Sequence, residues 1–294
     1  MVIVDAHNHA VRAFHGIAPM RSGAQPTHAV YGLAGLLWRL VFEERPEYLA
    51  VVFDSADESR QTFRSEIYPA YKAQRGPRPP DLQSQMGLLR ELTEAFGLLV
   101  LEHPRFEADD LAASVVALAE SAHLETTILS SDKDLMQLVS ERTTLWDSMR
   151  GRRYTPEAVK EKLGVSPDRV VDYLALVGDS SDNIPGVAGI GPAGALRLLG
   201  AYGDLDGVLA PEAQATMKTR DRKLIAEGRE SAIMARELMR LRADVDVPGL
   251  ESYRLALPEP DRLSELLRRL RFDSFGPVPR LRPPTRPERS MAWS

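Results

Sequence analysis

Val2-Ile3-Val4-Asp5 begins the chain, and Tyr48-Leu49-Ala50-Val51-Val52-Phe53-Asp54 repeats its plan: a short apolar run that stops on an aspartate. Continuous apolar runs of this length, rich in β-branched residues, read as strands buried on both faces. Leu98–Leu101, Thr126–Leu129 and Thr144–Trp146 are further runs of the same kind, the fourth leading into Ser130-Ser131-Asp132. Helical patterns separate them. Ala29–Glu44 carries a stripe of Val30, Leu33, Leu37, Leu40 and Val41 and closes at Arg45-Pro46. Asp81 can cap a helix that runs to Phe96 and stops at Gly97, and Glu107–Ala122 places Leu111, Val115, Leu118 and Ala122 on one face. Strands alternating with helices predict an α/β fold, a parallel sheet with helices on both faces.

That reading gives the acids a common address. In an open α/β sheet, groups at the carboxyl ends of the strands converge on one crevice. Nine acids sit at such ends or in adjacent turns: Asp5, Asp54, Glu107, Asp109, Asp110, Asp132, Asp134, Asp179 and Asp182. So many carboxylates in one place repel one another unless cations neutralise them. Oxygen donors without thiols, and with few histidines, suit magnesium or manganese over zinc or copper. Glu107, Asp109 and Asp110 also fall in the first turn of a helix, where acids are favoured anyway, but three in four residues exceed what capping needs.

The 294-residue chain has no cysteine, which removes disulfides, thiolate metal sites and a cysteine nucleophile, and fits a reducing cytoplasm. No apolar run approaches the roughly 18 residues of a membrane span, and the N-terminus lacks the basic region of a signal peptide. A net charge of −5 is unusual for a nucleic-acid binder. The nine acids account for more than all of it and leave the remainder positive. Positive charge is also local: Arg60, Arg64, Lys72, Arg75 and Arg78 face the single acid Glu66 within residues 60–78. A charge run is ordinarily a solvated face; this one follows a candidate metal ligand, which favours contact with phosphate. Residues 55–80, polar and then proline-rich, read as a long loop or a mobile helical excursion, a kind of segment that is usually functional or disordered.

Thr155-Pro156-Glu157 and Ser166-Pro167-Asp168 each join an N-cap to a proline at the first helical position. They mark a change to helices only, with a domain boundary near Gly164. A long helix is expected over Arg220–Arg242, and a disordered Pro/Arg-rich tail over 276–294. Between them, Ile184-Pro185-Gly186-Val187-Ala188-Gly189-Ile190-Gly191 precedes an apolar helix over Ala195–Leu199. Two glycines about a β-branched residue expose successive backbone N–H groups to a phosphate. Alone this is also an ordinary tight turn; Asp179 and Asp182 just upstream tie it to the acidic crevice.

Two hard cations about 4 Å apart clamp an in-line displacement at phosphorus, and Lys72 or Arg75 can neutralise the charge that develops. His7 and His9 beside Asp5 resemble an amidohydrolase pair, but the barrel repeats and further metal histidines are missing. A phosphohydrolase with an aspartyl intermediate wants Asp-x-Asp after its first strand, where this chain has Asp5-Ala6-His7. A non-catalytic DNA-junction binding protein is the remaining rival.

Over residues 1–275 the chain resembles the 5′-nuclease domain of bacterial DNA polymerase I and its stand-alone relatives, the 5′–3′ exonucleases and flap endonucleases. The resemblance rests on Val4-Asp5-Ala6-His7-Asn8 with Arg12-Ala13-Phe14-His15, Ala29-Val30-Tyr31-Gly32, Val51-Val52-Phe53-Asp54, Phe63-Arg64, Tyr68-Pro69-Ala70-Tyr71-Lys72-Ala73 and Phe106-Glu107-Ala108-Asp109-Asp110. It continues through Ser131-Asp132-Lys133-Asp134-Leu135-Met136-Gln137-Leu138, Asp172-Tyr173-Leu174-Ala175-Leu176 and Gly178-Asp179-Ser180-Ser181-Asp182-Asn183-Ile184-Pro185-Gly186. It implies a PIN-like nuclease domain over 1–164 with a helical arch at about 60–100, and a helix–three-turn–helix (helix-hairpin-helix) DNA-binding domain over 165–275. It implies two divalent ions, magnesium or alternatively manganese. Asp5, Asp54, Glu107 and Asp109 mainly serve one ion; Asp132, Asp134, Asp179 and Asp182 mainly serve the other, with Asp110 nearby. Lys72 and Arg75 become the catalytic cations of the arch. Arg12, Arg64, Tyr71, Lys72, Arg75, Gly186, Gly189, Gly191 and Arg197 become DNA contacts, with a potassium ion at the hairpin turn. The partners implied are DNA 5′ ends or flaps and RNA primer–DNA hybrids, met by a cytoplasmic, nucleoid-associated monomer without a membrane. Gly189-Ile190-Gly191-Pro192-Ala193-Gly194-Ala195 departs from the family's usual Gly-Ile-Gly-Glu-Lys-Thr-Ala, which puts one phosphate contact in doubt, with Arg197 as the compensating cation. No polymerase motif follows residue 275, which reads as a stand-alone nuclease or as a fragment of a longer polymerase.

Overall fold

The computed structural model describes residues 1–55 and 61–280. Arg60 and residues 281–294 of the expected tail lie outside them. Among the described residues, six strands form the main sheet: β1 (Val2–Asp5), β2 (Leu49–Val52), β3 (Val100–Leu101), β4 (Thr126–Leu129), β5 (Thr143–Asp147) and β6 (Arg152–Tyr154). Their order is β3-β2-β1-β4-β5-β6, all parallel except the β5–β6 pair. The chain leaves β1 for β2 on one side and later returns to β4 on the other. The carboxyl ends of β1, β2 and β4 therefore flank a switch point, where a crevice opens.

Strand residues alternate between two cores, as period-two geometry requires. Val2, Val4, Leu49 and Val51 pack with α1 (Ala6–Gly16), α2 (His28–Trp38) and later helices on one face; Ile3, Ala50, Val52 and Ile128 pack on the other. That second face carries α6 (Ala108–Ser121), whose residues are buried nearly all round. The expected four-residue stripe on α6 is only half right. Leu111 and Val115 are buried, but Leu118 is half-buried, Ala122 is exposed and Ala119 takes its place. The reason is that α6 is sandwiched, with the sheet on one side and the helices beyond residue 165 on the other.

Residues 61–97 hold three short helices: α3 (Phe63–Ile67), α4 (Pro80–Gln83) and α5 (Met86–Ala95). The single helix expected from Asp81 to Phe96 is broken. Pro79 is the N-cap, and the break at Ser84–Gln85 lets buried Gln85 receive the N–H groups of Ala29 and Val30. Gly97 ends α5 at φ +75°. The helix α2 runs on through a π-helical stretch, Arg39–Glu44, and stops at left-handed Arg45 before Pro46.

Beyond β6 come α7 (Pro156–Leu163), capped by Thr155, then α8 (Val170–Val177). A two-strand hairpin follows, β7 (Gly178–Asp179) with β8 (Ile184–Pro185). Next are α9 (Pro192–Tyr202), α10 (Leu205–Leu209) and α11 (Pro211–Thr216). The long helix expected over 220–242 is two helices, α12 (Thr219–Glu227) and α13 (Arg229–Met239). The chain bends at Gly228, where a side chain would meet Val187 Cγ1 at 2.7 Å. Finally α14 (Pro260–Arg269) packs on α5, and Val278, inside the expected tail, is buried in the same cluster. No described helix is long and apolar enough to cross a membrane.

Candidate metal centre and its basic approach

Five segments deliver acids to the crevice. Asp5 ends β1 and caps α1, Asp54 follows β2, Glu107 caps α6 with Asp109 in its first turn, Asp132 and Asp134 follow β4, and Asp179 and Asp182 come from the β7–β8 hairpin. All eight line one cavity of about 230 Å³, together with Lys72, Arg75, Lys133 and His7. Several of these carboxylates are oriented by a nearby donor. Asp5 accepts from Asn8 N (3.0 Å) and Ser130 Oγ (2.8 Å); Asp54 accepts from Ala108 N (2.9 Å). Asp132 accepts from Asp134 N (3.0 Å), and Asp179 accepts from Ser181 N (2.8 Å) and Lys133 Nζ (2.8 Å).

The charges are under stress. Burial, and then Asp132 and Asp54, push Asp5 up to about 7. Burial and then Asp132 push Asp134 up to about 7. Burial also raises Asp109 and Asp132, each with acid neighbours adding to the effect. Glu107 and Asp179 go the other way, because cations outweigh their burial. Lys72 and Arg64 hold Glu107 below the usual range, and Lys133 with Ser181 does the same for Asp179. One Asp134 oxygen, Oδ1, is buried with no hydrogen-bond partner. A buried acceptor left unpaired is costly. That oxygen, the eight carboxylates and the absence of sulfur ligands fit a hard cation.

A second cavity, about 550 Å³, adjoins the first and shares His7, Asp54, Lys72, Arg75 and Glu107 with it. Its walls include Tyr71, Arg78, Pro77, Pro79 and His15. Lys72 and Arg75 thus stand at the junction. Lys72 Nζ donates to Glu107 Oε1 (2.5 Å) and Arg75 to Asp182 Oδ1 (2.5 Å). Tyr71 lines the wall, and its buried hydroxyl lies between Glu107 (2.7 Å) and Asp182 (3.1 Å).

Several expected site residues lie outside both cavities. Asp110 is fully buried and lines neither cavity. Acid oxygens of Glu107, Asp109 and Asp110 do lie within 4.8 Å of one another, but both Asp110 oxygens are taken by Arg64, at 2.6 and 2.8 Å. Arg64, expected to touch DNA, is 2% exposed and wholly occupied inside the protein. Arg12 is placed apart from the crevice. It lines neither cavity, and its guanidinium lies 2.5 Å from buried Asp147 at the end of β5. Arg197 on α9 is half-exposed and paired with Asp221.

At the hairpin, Gly186 serves close packing. A side chain there would strike Gly178 N and Val177 C, both at 2.4 Å. Gly189 is left-handed (φ +83°), and Gly191 is open, as the N-cap of α9. Pro192 removes one N–H from that helix end. Lys133 was passed over in the sequence, although it sits between two of the acids; a lysine flanked by aspartates in a turn is the signal that could have found it.

Known proteins share this architecture. Residues 1–164 match the 5′–3′ exonuclease N-terminal, resolvase-like domain, and residues 165–262 match the 5′–3′ exonuclease C-terminal SAM fold. A 5′–3′ exonuclease of Aquifex aeolicus is 34% identical over 94% of this chain and 93% of its own length. DNA polymerase I of Rhizobium leguminosarum is 42% identical over 83% of this chain but 25% of that protein. The chain thus spans about a quarter of that polymerase, and 32% of the one from Thermus aquaticus. Among solved structures, the T5 5′-exonuclease with bound zinc superposes with a TM-score of 0.67 at 21% identity, covering 91% of this chain and 98% of that one. A T5 flap endonuclease complex with DNA and metal ions gives 0.69 at 19% identity, covering 92% and 98%.

Proposed function

The chain belongs to the 5′–3′ exonuclease family, and from that membership and the geometry of the crevice we propose that it is a structure-specific 5′-nuclease. It hydrolyses phosphodiester bonds of DNA at 5′ ends and flaps. The observation that carries this reading is the junction of the two cavities, where a nest of eight carboxylates meets a basic approach at Lys72 and Arg75. The T5 relatives, solved with metal ions and with DNA, support it.

Asp5, Asp54, Glu107 and Asp109 would hold one divalent ion, and Asp132, Asp134, Asp179 and Asp182 a second. Magnesium is the physiological choice and manganese a substitute. When bound, such ions supply charge neutralisation at phosphorus and a nucleophile from water. The protein's own groups do the rest. Tyr71 fixes one oxygen each of Glu107 and Asp182, so the two halves of the carboxylate set keep their spacing. Lys133 and Ser181 orient Asp179. Lys72 and Arg75, at the mouth, meet the scissile phosphate and stabilise charge that grows on it. Residues 61–100 would form the arch beside this mouth, and the larger cavity would admit a single strand.

The helical half grips duplex backbone in the manner of a helix–three-turn–helix module. The Gly186–Gly191 turn contributes N–H groups, and its carbonyls offer a seat for potassium. Arg197 replaces the family's usual lysine only by leaving Asp221. The protein acts as a monomer on nucleoid DNA in the cytoplasm, in replication and repair, with RNA primer–DNA hybrids among its substrates.

Cleavage of a 5′-labelled flap duplex tests this. Cutting near the junction is expected with magnesium, and none with EDTA or with Asp132→Asn. Tight flap binding with no cutting under magnesium or manganese would sink the proposal and favour a non-catalytic junction binder.

A further inference from the structure

The Arg64–Asp110 pair lies behind the crevice, and three parts of the molecule meet on it. Arg64 begins α3, the base of the basic approach. Its Nη1 and Nη2 grip Asp110 on α6, and Nη1 also reaches Glu107 Oε2 at 3.1 Å. Its Nε donates to Leu238 O (2.7 Å), at the end of α13 in the helical half. Asp110 is as fully used. Beyond the guanidinium it accepts from Glu107 N (3.1 Å) and from Arg242 N (3.0 Å). A carboxylate offers about four lone-pair sites, and all four are spent here. One turn further along α6, Ser114 Oγ accepts from Val245 N (3.1 Å).

A group with no free lone pair is a poor metal ligand, and a guanidinium with 2% exposure is a poor phosphate contact. We infer that Arg64 and Asp110 are positioning residues, a joint that holds Glu107, the arch base and the 238–245 segment in one register. The nuclease reaction needs such a joint. The helical half is to grip duplex while the crevice cuts, so the bond that is cut depends on how rigidly the two are spaced. Glu107, gripped by Arg64 on one side and by Lys72 and Tyr71 on the other, passes that spacing into the site. This rests on the nuclease reading above.

The test compares Arg64→Met, Asp110→Leu and the double variant with wild type. The readouts are single-turnover cutting of a magnesium-loaded flap, the distribution of cut positions, and the salt dependence of flap binding. Removing one partner alone strands a buried charge, so the double variant, apolar at both positions, carries the test if the single variants do not melt cooperatively. The double variant is expected to bind the flap with the wild-type salt slope. It should cut about 100-fold more slowly, the usual consequence of a misplacement near 1 Å, and spread its cuts over neighbouring bonds. Folded single variants should be no faster than the double, because one joint is lost in each.

Cutting by the double variant at wild-type rate and position overturns the inference. So does a salt slope lowered by about one in Arg64→Met, the mark of a phosphate contact. Multiplying losses in the double variant would likewise show two independent roles. A wild-type protein that binds the flap without cutting defeats the nuclease reading itself, and is told apart because the variants are then not needed.

Discussion

Asp134→Asn, melted in EDTA across pH 5 to 8, isolates the strain stored in the carboxylate nest. Asp134 is pushed from 3.8 to about 7, by burial first and by Asp132 second. Its folded-state value lies above its unfolded one, so the folded protein holds the proton more tightly. Stability from this group is complete below about pH 4 and is lost as pH rises towards 7. About two units of that rise fall between pH 5 and 7, or roughly 3 kcal/mol at 1.36 kcal/mol per unit. At about 2–4 °C per kcal/mol for a chain of this class, wild type should lose roughly 6–12 °C that the asparagine variant keeps. His7 and His9 oppose this, since burial holds both below their usual value and their protonation costs stability as pH falls. They are present in both proteins, so they cancel in the difference. The two melting curves should lie closest at pH 5 and diverge by roughly a further 6–12 °C by pH 8, with the variant higher. Magnesium at pH 8 should raise wild type more than the variant. A difference that stays flat from pH 5 to 8, or in which wild type gains with pH, refutes the reasoning.

Lys72→Met should lower single-turnover flap cutting by roughly 10²–10³-fold, the usual cost of removing one group aimed at developing charge, while flap affinity changes little; an unchanged rate would remove Lys72 from the chemistry. Gly186→Ala should cost about 2 kcal/mol or more, because its Cβ would strike backbone atoms at 2.4 Å that cannot give way. Gly191→Ala, with nothing within 4 Å of its Cβ and φ −98°, is the control. Thermal melts that place the two variants together would show that the hairpin's closeness to α8 has been misjudged.

The strand skeleton was legible because a strand buried on both faces is a continuous apolar run, and nothing in the sequence competes with Val2–Val4 or Leu49–Val52. The edge strand β6 was missed for the opposite reason. Arg152 and Arg153 are exposed and only Tyr154 points inward, so the stretch carries no apolar signature. Gly228 was absorbed into one long helix because a lone glycine is tolerable in a helical pattern. What leaves no room for a side chain at the bend is Val187, forty-one positions earlier in the chain, which no local window contains. Gln85 is a similar case. A polar residue in an amphipathic stretch reads as solvent-facing, yet it is 0% exposed because two N–H groups of α2 need an acceptor.

The acids divide along the same line. Eight line one cavity, as the topological rule that strand ends and the turns beside them converge leads one to expect. Asp110 obeys the rule in sequence and breaks it in space. Successive residues on a helix are turned by about 100°, so Asp109 and Asp110 leave α6 in different directions. Which of them faces the crevice depends on how α6 sits between the sheet and the helical half. The basic run splits in the same way: Arg64 turns inward to Asp110, while Lys72 and Arg75 stay at the mouth. This sorting also resolves the net charge, which looked wrong for a DNA-binding protein. Eight carboxylates in the crevice face Lys72, Arg75 and Lys133, an excess of five negative charges. Two divalent ions carry four positive charges, and Asp110 is already neutralised by Arg64. Loaded in this way the crevice would come close to neutral, and on the proposed reading a phosphate backbone would meet the cations at its mouth and not the acids behind them.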